Sequence, residues 1–194
     1  MANKVKYGLK NVYYAVATID ADNKATYATP VAIKGAVNLS LDAQGDTTQF
    51  RADNMNYWIG QSNNGYDGDF EVALIPDSFK KDVLGYKEDA DGALYEVKDA
   101  PTVYFALLFQ FEGDEHATKH VLYKCSATRP TISGATTEET IEPQTETLNL
   151  TADAITVAAV NEDVVKASVK YGDAAYDSWF SAVHQPTASP VITT

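Results

Sequence analysis

Cysteine, histidine and long apolar runs are scarce in this chain of 194 residues. The single cysteine, Cys125, excludes an internal disulfide bond, and the alternating run VLYKCSA around it predicts a small buried or half-buried side chain. No apolar run approaches the length of a membrane span, and the opening residues MANKVKYG contain no apolar signal core. We therefore expect a protein that is made and folded in a reducing cytoplasm, is not exported by a signal peptide and does not enter a membrane.

Basic residues are also few, because 15 Lys and Arg stand against 27 Asp and Glu and the formal net charge is −12. A protein that binds nucleic acid by neutralising phosphates needs a basic surface, so this balance argues against that class. The charge is compatible with a surface past which DNA moves without adhering. It is more simply explained by an acidic surface that keeps the protein soluble.

Signatures of catalysis and metal binding are missing as well. The sequence contains no nucleophile elbow, phosphate-binding loop, dinucleotide fingerprint or CxxC pair. His116 and His120 lie in a turn and at the start of a strand, where their spacing does not place both side chains on one face. Residues 89–92, DADG, resemble a calcium loop, but the EF-hand register would place Lys87 and Lys98 at ligand positions. We therefore expect no enzyme activity, no metal site and no cofactor.

Apolar and polar residues alternate with a period near two over most of the chain, between turn-forming residues. This pattern predicts a mainly β protein: an antiparallel β-sandwich or barrel of about nine or ten strands, with one or two short flanking α-helices and a long extended loop. The acidic stretch 133–147 is expected to be a solvated or extended strand followed by a loop. The other predicted strands span residues 11–19, 27–33 (interrupted by Pro30), 36–41, 69–75, 101–112, 117–127, 147–159 and 164–171.

The first short helix is predicted within residues 76–85. Either Asp77 or Ser78 is expected to cap its start, and Gly85 is expected to end it in the left-handed conformation. Residues 86–99 follow as a predicted hairpin that turns at an Asp-Gly dipeptide.

The second short helix is predicted over residues 174–183, where Trp179 and Phe180 would anchor it to the sheet. The chain length fits one domain over residues 1–185. The remaining residues, 186–194, are rich in Pro, Ser and Thr, and we expect them to form a flexible tail.

Residues 42–69 differ from the rest because they are polar, contain four glycines and carry isolated aromatic residues. A stretch of this length without a strong period is unusual in a compact domain and is commonly functional or ordered by a partner. Its weaker parts can also pair as a long hairpin, with residues 48–51 opposite residues 56–59. The aromatic residues are Phe50, Tyr57, Trp58 and Tyr66.

Four features, taken in order along the chain, resemble a known family. They are the opening YGLKNVYYA at residues 7–15, the run GAVNLSL at 35–41 leading to FRADN at 50–54, the block GYDGDFEVALIPDSFKKDVLG at 65–85, and the strand YFALLFQFE at 104–112 with its return strand. Together they resemble the major tail proteins, or tail-tube proteins, of bacteriophages with long non-contractile tails. The resemblance covers most of residues 1–185.

This resemblance implies a β-sandwich of which six copies close into a ring, with rings that stack into a hollow tube in the phage tail. The loop at residues 42–64 would form the contact between rings, and a ring would remove the open sheet edges of the monomer. The protein would be made in the host cytoplasm and would function in the virion. The implied contact residues are Phe50, Arg51, Asp53, Asn54, Tyr57 and Trp58, together with the N-terminal strand.

The resemblance also gives the acidic charge a role, because acidic residues lining the tube would repel phosphate and let DNA slide. The candidates are Asp69, Glu71 and Glu112. The family further implies a tape-measure protein, a tail terminator and a distal tail protein as partners.

Two other functions stay open from the residues alone. The first is a carbohydrate-binding or adhesin-like β-sandwich, in which Tyr57, Trp58 and Tyr66 would form a sugar platform. The second is an enzyme on a β scaffold, which no residue pattern in the sequence supports.

Overall fold

The computed structural model of the chain describes residue 5, residues 7–132, residues 134 and 136, and residues 144–188. In this part of the chain, fifteen strands and one α-helix form, and all strand pairings are antiparallel. The mainly β prediction is therefore confirmed. The elements are β1 (Tyr7–Ile19), β2 (Ala25–Tyr27), β3 (Val31–Ile33), β4 (Ala36–Ala43), β5 (Thr47–Ala52), β6 (Met55–Gln61), β7 (Tyr66–Val72), α1 (Asp77–Asp82), β8 (Lys87–Glu88), β9 (Leu94–Tyr95), β10 (Tyr104–Glu112), β11 (Lys119–Ala127), β12 (Glu146–Asp153), β13 (Ile155–Val157), β14 (Glu162–Val164) and β15 (Lys166–Val169).

Nine of these strands form one sheet in the order β2-β1-β10-β11-β12-β7-β4, with β3 beside β1 and β15 beside β11. The sheet curls, so that β4 at one end of the order returns to lie near β1. Pro30 separates β2 from β3, as predicted, and both short strands pair with β1. The pairs β5–β6, β8–β9 and β13–β14 form three small two-stranded sheets.

The central strand β10 is apolar on both faces because a separate core lies on each side of it. Phe105 and Leu107 belong to the first core, and Ala106 and Leu108 belong to the second. A strand buried on both faces reads as a continuous apolar run, which is how the sequence FALLF identified it. Cys125 on the neighbouring strand is buried, as expected.

The first core lies on the inner face of the curled sheet and is closed by α1. Phe79 of the helix packs edge-on against the rings of Tyr14 and Phe105, at centroid distances of 5.0 and 5.4 Å. Gly85 has φ of 73°, so the predicted left-handed end of the helix is confirmed. The predicted cap is wrong, because the N-cap residue is Pro76, whose side chain offers no hydrogen-bond acceptor.

The second core lies on the outer face and is covered by the β13–β14 hairpin and by residues 171–182. The predicted helix over residues 174–183 is wrong, since this segment is a series of turns. Contacts with the sheet override helix formation: the Tyr176 carbonyl accepts a hydrogen bond from Nζ of Lys119 at 2.7 Å, and the Trp179 indole N–H donates to the His120 carbonyl at 3.3 Å. Trp179 is nevertheless the buried anchor that was predicted.

The other sequence predictions have mixed outcomes. The hairpin over residues 86–99 is confirmed by the β8–β9 pair, and the strand predicted over 147–159 is divided between β12 and β13. Most of the acidic stretch 133–147 and the end of the predicted tail, residues 189–194, lie outside the described residues. Among the residues that are described, no helix is long and apolar enough to cross a membrane.

Candidate functional site

A long hairpin, which we call the arm (residues 44–64), extends β4 and β7 beyond the main sheet. At its base, the Gln44 N–H donates to the Gly65 carbonyl at 2.9 Å, and the Asn64 N–H donates to the Gln44 carbonyl at 2.8 Å. Beyond these bonds, and among the residues that the structure describes, β5 and β6 pair only with each other. At the usual strand rise of about 3.3 Å per residue, each side of the arm is roughly 30 Å long. The hairpin that the sequence allowed between residues 48–51 and 56–59 is confirmed.

The tip of the arm is a two-residue turn made by Asp53 and Asn54. Both have positive φ, 51° and 60°, and the flanking residues Ala52 and Met55 are paired. Two consecutive left-handed residues form the tight turn that matches the twist of a hairpin, and Asp and Asn tolerate that conformation. The pair that we predicted as contact residues therefore shapes the tip.

The aromatic residues of the arm are exposed. Phe50 lies opposite Trp58, and Tyr57 is the extra residue in a bulge next to this pair. Their exposed fractions are 58% for Phe50, 57% for Trp58 and 72% for Tyr57. The indole of Trp58 lies over Gly60, where an added Cβ would overlap the ring. The glycine therefore gives the ring the space to lie along the arm.

Sequence reasoning missed two further apolar residues of the arm, Met55 and Ile59. Both are more than half exposed. Their signal was present in the sequence, because they lie in the same polar stretch as the aromatic residues that were identified. An isolated two-stranded hairpin is marginally stable in water, and apolar side chains clustered on an exposed element indicate an interaction surface. The arm therefore has the properties of a contact element.

Acidic residues collect on the outer face of β7 and the adjoining part of β4, and we call them the acidic patch (Asp42, Asp67, Asp69 and Glu71). Asp67, Asp69 and Glu71 alternate with Phe70 and Val72, which point into the first core. Asp42 on β4 lies directly opposite Asp67. Like charges directly opposite each other in a sheet repel, so the acidic patch destabilises this part of the sheet.

Polar neighbours partly satisfy this patch. Thr145 donates a hydrogen bond from Oγ1 to Oε1 of Glu71 at 2.5 Å, and Asn149 lies opposite Asp69 on β12. Glu112 is not part of the patch, because two strands separate β10 from β7 in the sheet. Its carboxylate pairs with Nζ of Lys10 at 3.5 Å. The structure thus brings two of the three predicted acidic residues together.

Tyr66 does not join Tyr57 and Trp58 in a sugar platform. It lies at the base of the arm, and Nζ of Lys166 lies 4.7 Å from the centre of its ring. The three rings that the carbohydrate hypothesis requires are therefore not on one surface.

A sequence model of the family described as "Phage tail tube protein" matches residues 2–183. The chain belongs to the phage tail tube protein family. It is therefore a structural protein of the viral tail and a component of the virion, and it assembles with other tail components. No curated protein matches the sequence.

This tail tube protein is also similar to a chain in the "Cryo-EM structure of the anti-feeding prophage (AFP) baseplate, 6-fold symmetrised". The two are 11% identical with a TM-score of 0.49, over 89% of this chain and 99% of the other.

The tail tube protein carries all six predicted contact residues on the arm. Phe50, Trp58 and Tyr57 are exposed rings, Asp53 and Asn54 make the turn, and Arg51 is an exposed cation opposite Asn56. Their role in contacts between copies stays a prediction.

Proposed function

We propose that this tail tube protein forms hexameric rings that stack into the hollow tube through which phage DNA passes. The observation that carries the proposal is the arm, whose aromatic side chains remain more than half exposed although the rest of the chain buries two well-formed cores. Large apolar groups are left in water when another copy covers them in the assembled state. The number six and the stacking follow from the family resemblance.

The arm is the contact between successive rings in this proposal. It extends roughly 30 Å from the sheet, which is enough to reach beyond the edge of its own subunit. A contact in which the arm of one copy meets a different surface of the next is heterologous, and such contacts repeat indefinitely along a filament.

The acidic patch faces the lumen of the tube in the same proposal. A ring of six copies carries 6 × −12 = −72 formal charges. Carboxylates on the inner wall repel the phosphates of DNA, so that the genome slides without adhering. Asp69 and Glu71 fit this role better than Glu112, because the charge of Glu112 is paired with Lys10.

The partners follow from the same position in the tail. A tape-measure protein would occupy the lumen during assembly, and the terminator and distal tail proteins would cover the two ends of the tube. These partner proteins are taken from the family resemblance.

Electron microscopy of the concentrated full chain tests the proposal. We expect wild type to form six-fold rings or hollow tubes, and Trp58→Ala to stay a folded monomer because it lacks the exposed indole. Tyr95→Ala is the matched control, since Tyr95 is an exposed ring, 47% accessible, on the separate β8–β9 hairpin. Tubes from Trp58→Ala would contradict the role of the arm. A monomeric wild type that binds glycans would favour the carbohydrate-binding alternative.

A further inference from the structure

A groove opens at the mouth of the curled sheet, where β4 faces β10, β11 and β15. Its volume is about 230 Å³, and we define it by Leu39, Leu41, Tyr66, Phe111, His120 and Lys166. Four of these side chains, Leu39, Leu41, Tyr66 and Phe111, are partly buried and pack against the first core. The groove is therefore the open end of that core, where apolar walls meet solvent.

The size and walls of the groove suit an aromatic side chain. A cavity of about 150 Å³ lined by apolar residues holds benzene, so a groove of about 230 Å³ has room for a phenol or indole ring. The arm presents three such rings, each more than half exposed. They correspond to roughly 300–400 Å² of aromatic surface that a groove can cover.

The charges of the two surfaces are complementary. Lys166 lies at the rim of the groove with its ammonium group over Tyr66, in a chain whose net charge is −12. The arm carries Arg51 against Asp46 and Asp53, so its formal charge is 1 − 2 = −1. A lysine at the rim of the groove is a local positive charge that attracts an element of another copy with a negative net charge.

The arm begins beside the groove of its own chain and extends beyond it. Leu41 and Tyr66 lie at its base, and the hydrogen-bonded ladder of β4 with β7 continues past them into the arm, which therefore points away from the groove. Each copy thus has one arm that leads outward and one groove that is open. An arm-to-groove contact between copies is heterologous and repeats from subunit to subunit.

We propose that the aromatic side chains of the arm dock in the groove of a second copy of this chain. The inference rests on the proposed function and names the receiving surface. The rings cover less than the ~800 Å² per partner of a standard interface, so they are the anchors and the rest of the arm completes the contact.

Photo-crosslinking of the full chain tests this docking. Tyr57 is replaced by p-benzoyl-phenylalanine, which keeps an aromatic ring and leaves Trp58 in place, and the same replacement of Tyr95 is the control. After irradiation of the concentrated protein, dimer bands are isolated and the linked peptides are identified by mass spectrometry. We expect position 57 to link to peptides that contain Leu39–Leu41 or Phe111–His120 of a second copy, and position 95 to give no such link.

Micrographs of the same samples separate this inference from the function on which it rests. Groove links together with tubes support both, and groove links without tubes support the docking while the tube proposal fails. Tubes with links only to other surfaces overturn the docking alone. The absence of both tubes and groove links overturns both.

A blocked groove gives a second test. Leu41→Trp fills the groove with its own indole, whereas Val37→Trp adds the same ring to an exposed position of the same strand. We expect Leu41→Trp to raise the concentration needed for assembly by at least about tenfold, as the loss of an anchor residue does, and Val37→Trp to leave it unchanged. Circular dichroism checks that both variants fold. Equal assembly by two folded variants would overturn the docking.

Discussion

The two tryptophans of this tail tube protein should have opposite roles when each is replaced by alanine. Trp179 is 1% exposed within the second core, whereas Trp58 is 57% exposed on the arm. We expect Trp179→Ala to destabilise the monomer strongly. We expect Trp58→Ala to leave the stability of the monomer nearly unchanged and to prevent assembly.

The magnitude for Trp179 follows from its contacts. Burial of an aromatic side chain removes about 150–250 Å² from water, which at about 25 cal/mol per Å² corresponds to roughly 4–6 kcal/mol. An alanine side chain retains part of this burial free energy, and Trp→Ala changes in cores cost about 3–5 kcal/mol of stability. The hydrogen bond from its indole N–H to the His120 carbonyl is lost as well. We therefore expect a loss of about 4 kcal/mol, which lowers the melting temperature of a chain of this size by roughly 8–16 °C.

We expect Trp58→Ala to lower the free energy of unfolding by less than about 1 kcal/mol. The reason is that the arm pairs with no strand of the main sheet and can open without unfolding either core. Urea unfolding followed by circular dichroism measures both values. Each variant also leaves a single tryptophan, so its fluorescence should report a buried indole in Trp58→Ala and a solvent-exposed indole in Trp179→Ala. The reasoning is refuted if Trp58→Ala costs as much as Trp179→Ala, since Trp58 would then belong to a core.

Three further predictions concern the base of the arm, the acidic patch and the first core. Gly65→Ala should cost at least about 2 kcal/mol in urea unfolding, because Gly65 has φ of 88° and a Cβ there would overlap the Ala152 carbonyl oxygen. Tubes of the double variant Asp69→Lys and Glu71→Lys should retain DNA in a filter-binding assay at low salt and release it as salt is raised, whereas wild-type tubes should retain none at either salt concentration. Burial raises the pKa of Tyr14 to about 12, above its ordinary value of 10.0. The free energy of unfolding should therefore be unaffected by this group below pH 10 and should fall by about 2–3 kcal/mol as the pH rises from 10 towards 12. Alkaline titration of the unfolding free energy should show a smaller fall for Tyr14→Phe.

Much of the fold could be predicted from the sequence because its strands differ between an inner and an outer face. The run around Phe105 identified the central strand, and Pro30 marked the break between two short strands. The segment around Trp179 was predicted as a helix because the sequence shows its apolar residues but not the groups of the sheet with which the segment makes hydrogen bonds. The amino group of Lys119 and the carbonyl of His120 come from a strand far away in sequence, and they fix this segment as turns.

The candidate site could be predicted in composition but not in shape. The isolated aromatic residues and glycines in a polar stretch indicated residues 42–64 as a functional segment. The Asp53-Asn54 pair contained the turn signal. The groove could not be predicted in this way. Leu39, Phe111 and Lys166 each look like an ordinary strand residue, and only the curling of the sheet brings three distant strands to one opening.

The weak periodicity of the arm has a physical cause that bears on its function. Alternation arises when one face of a strand meets a core and the other meets water, so a hairpin with water on both faces has no pressure to alternate. A hairpin selected only for solubility would then be polar throughout, yet the arm retains Phe50 and Trp58 as a cross-strand pair and Ile59 next to them. These side chains therefore require a face that the monomer does not supply. In the assembly that we propose, a second copy supplies that face, and this would account for a segment that is too polar for a core strand and too aromatic for a solvated loop.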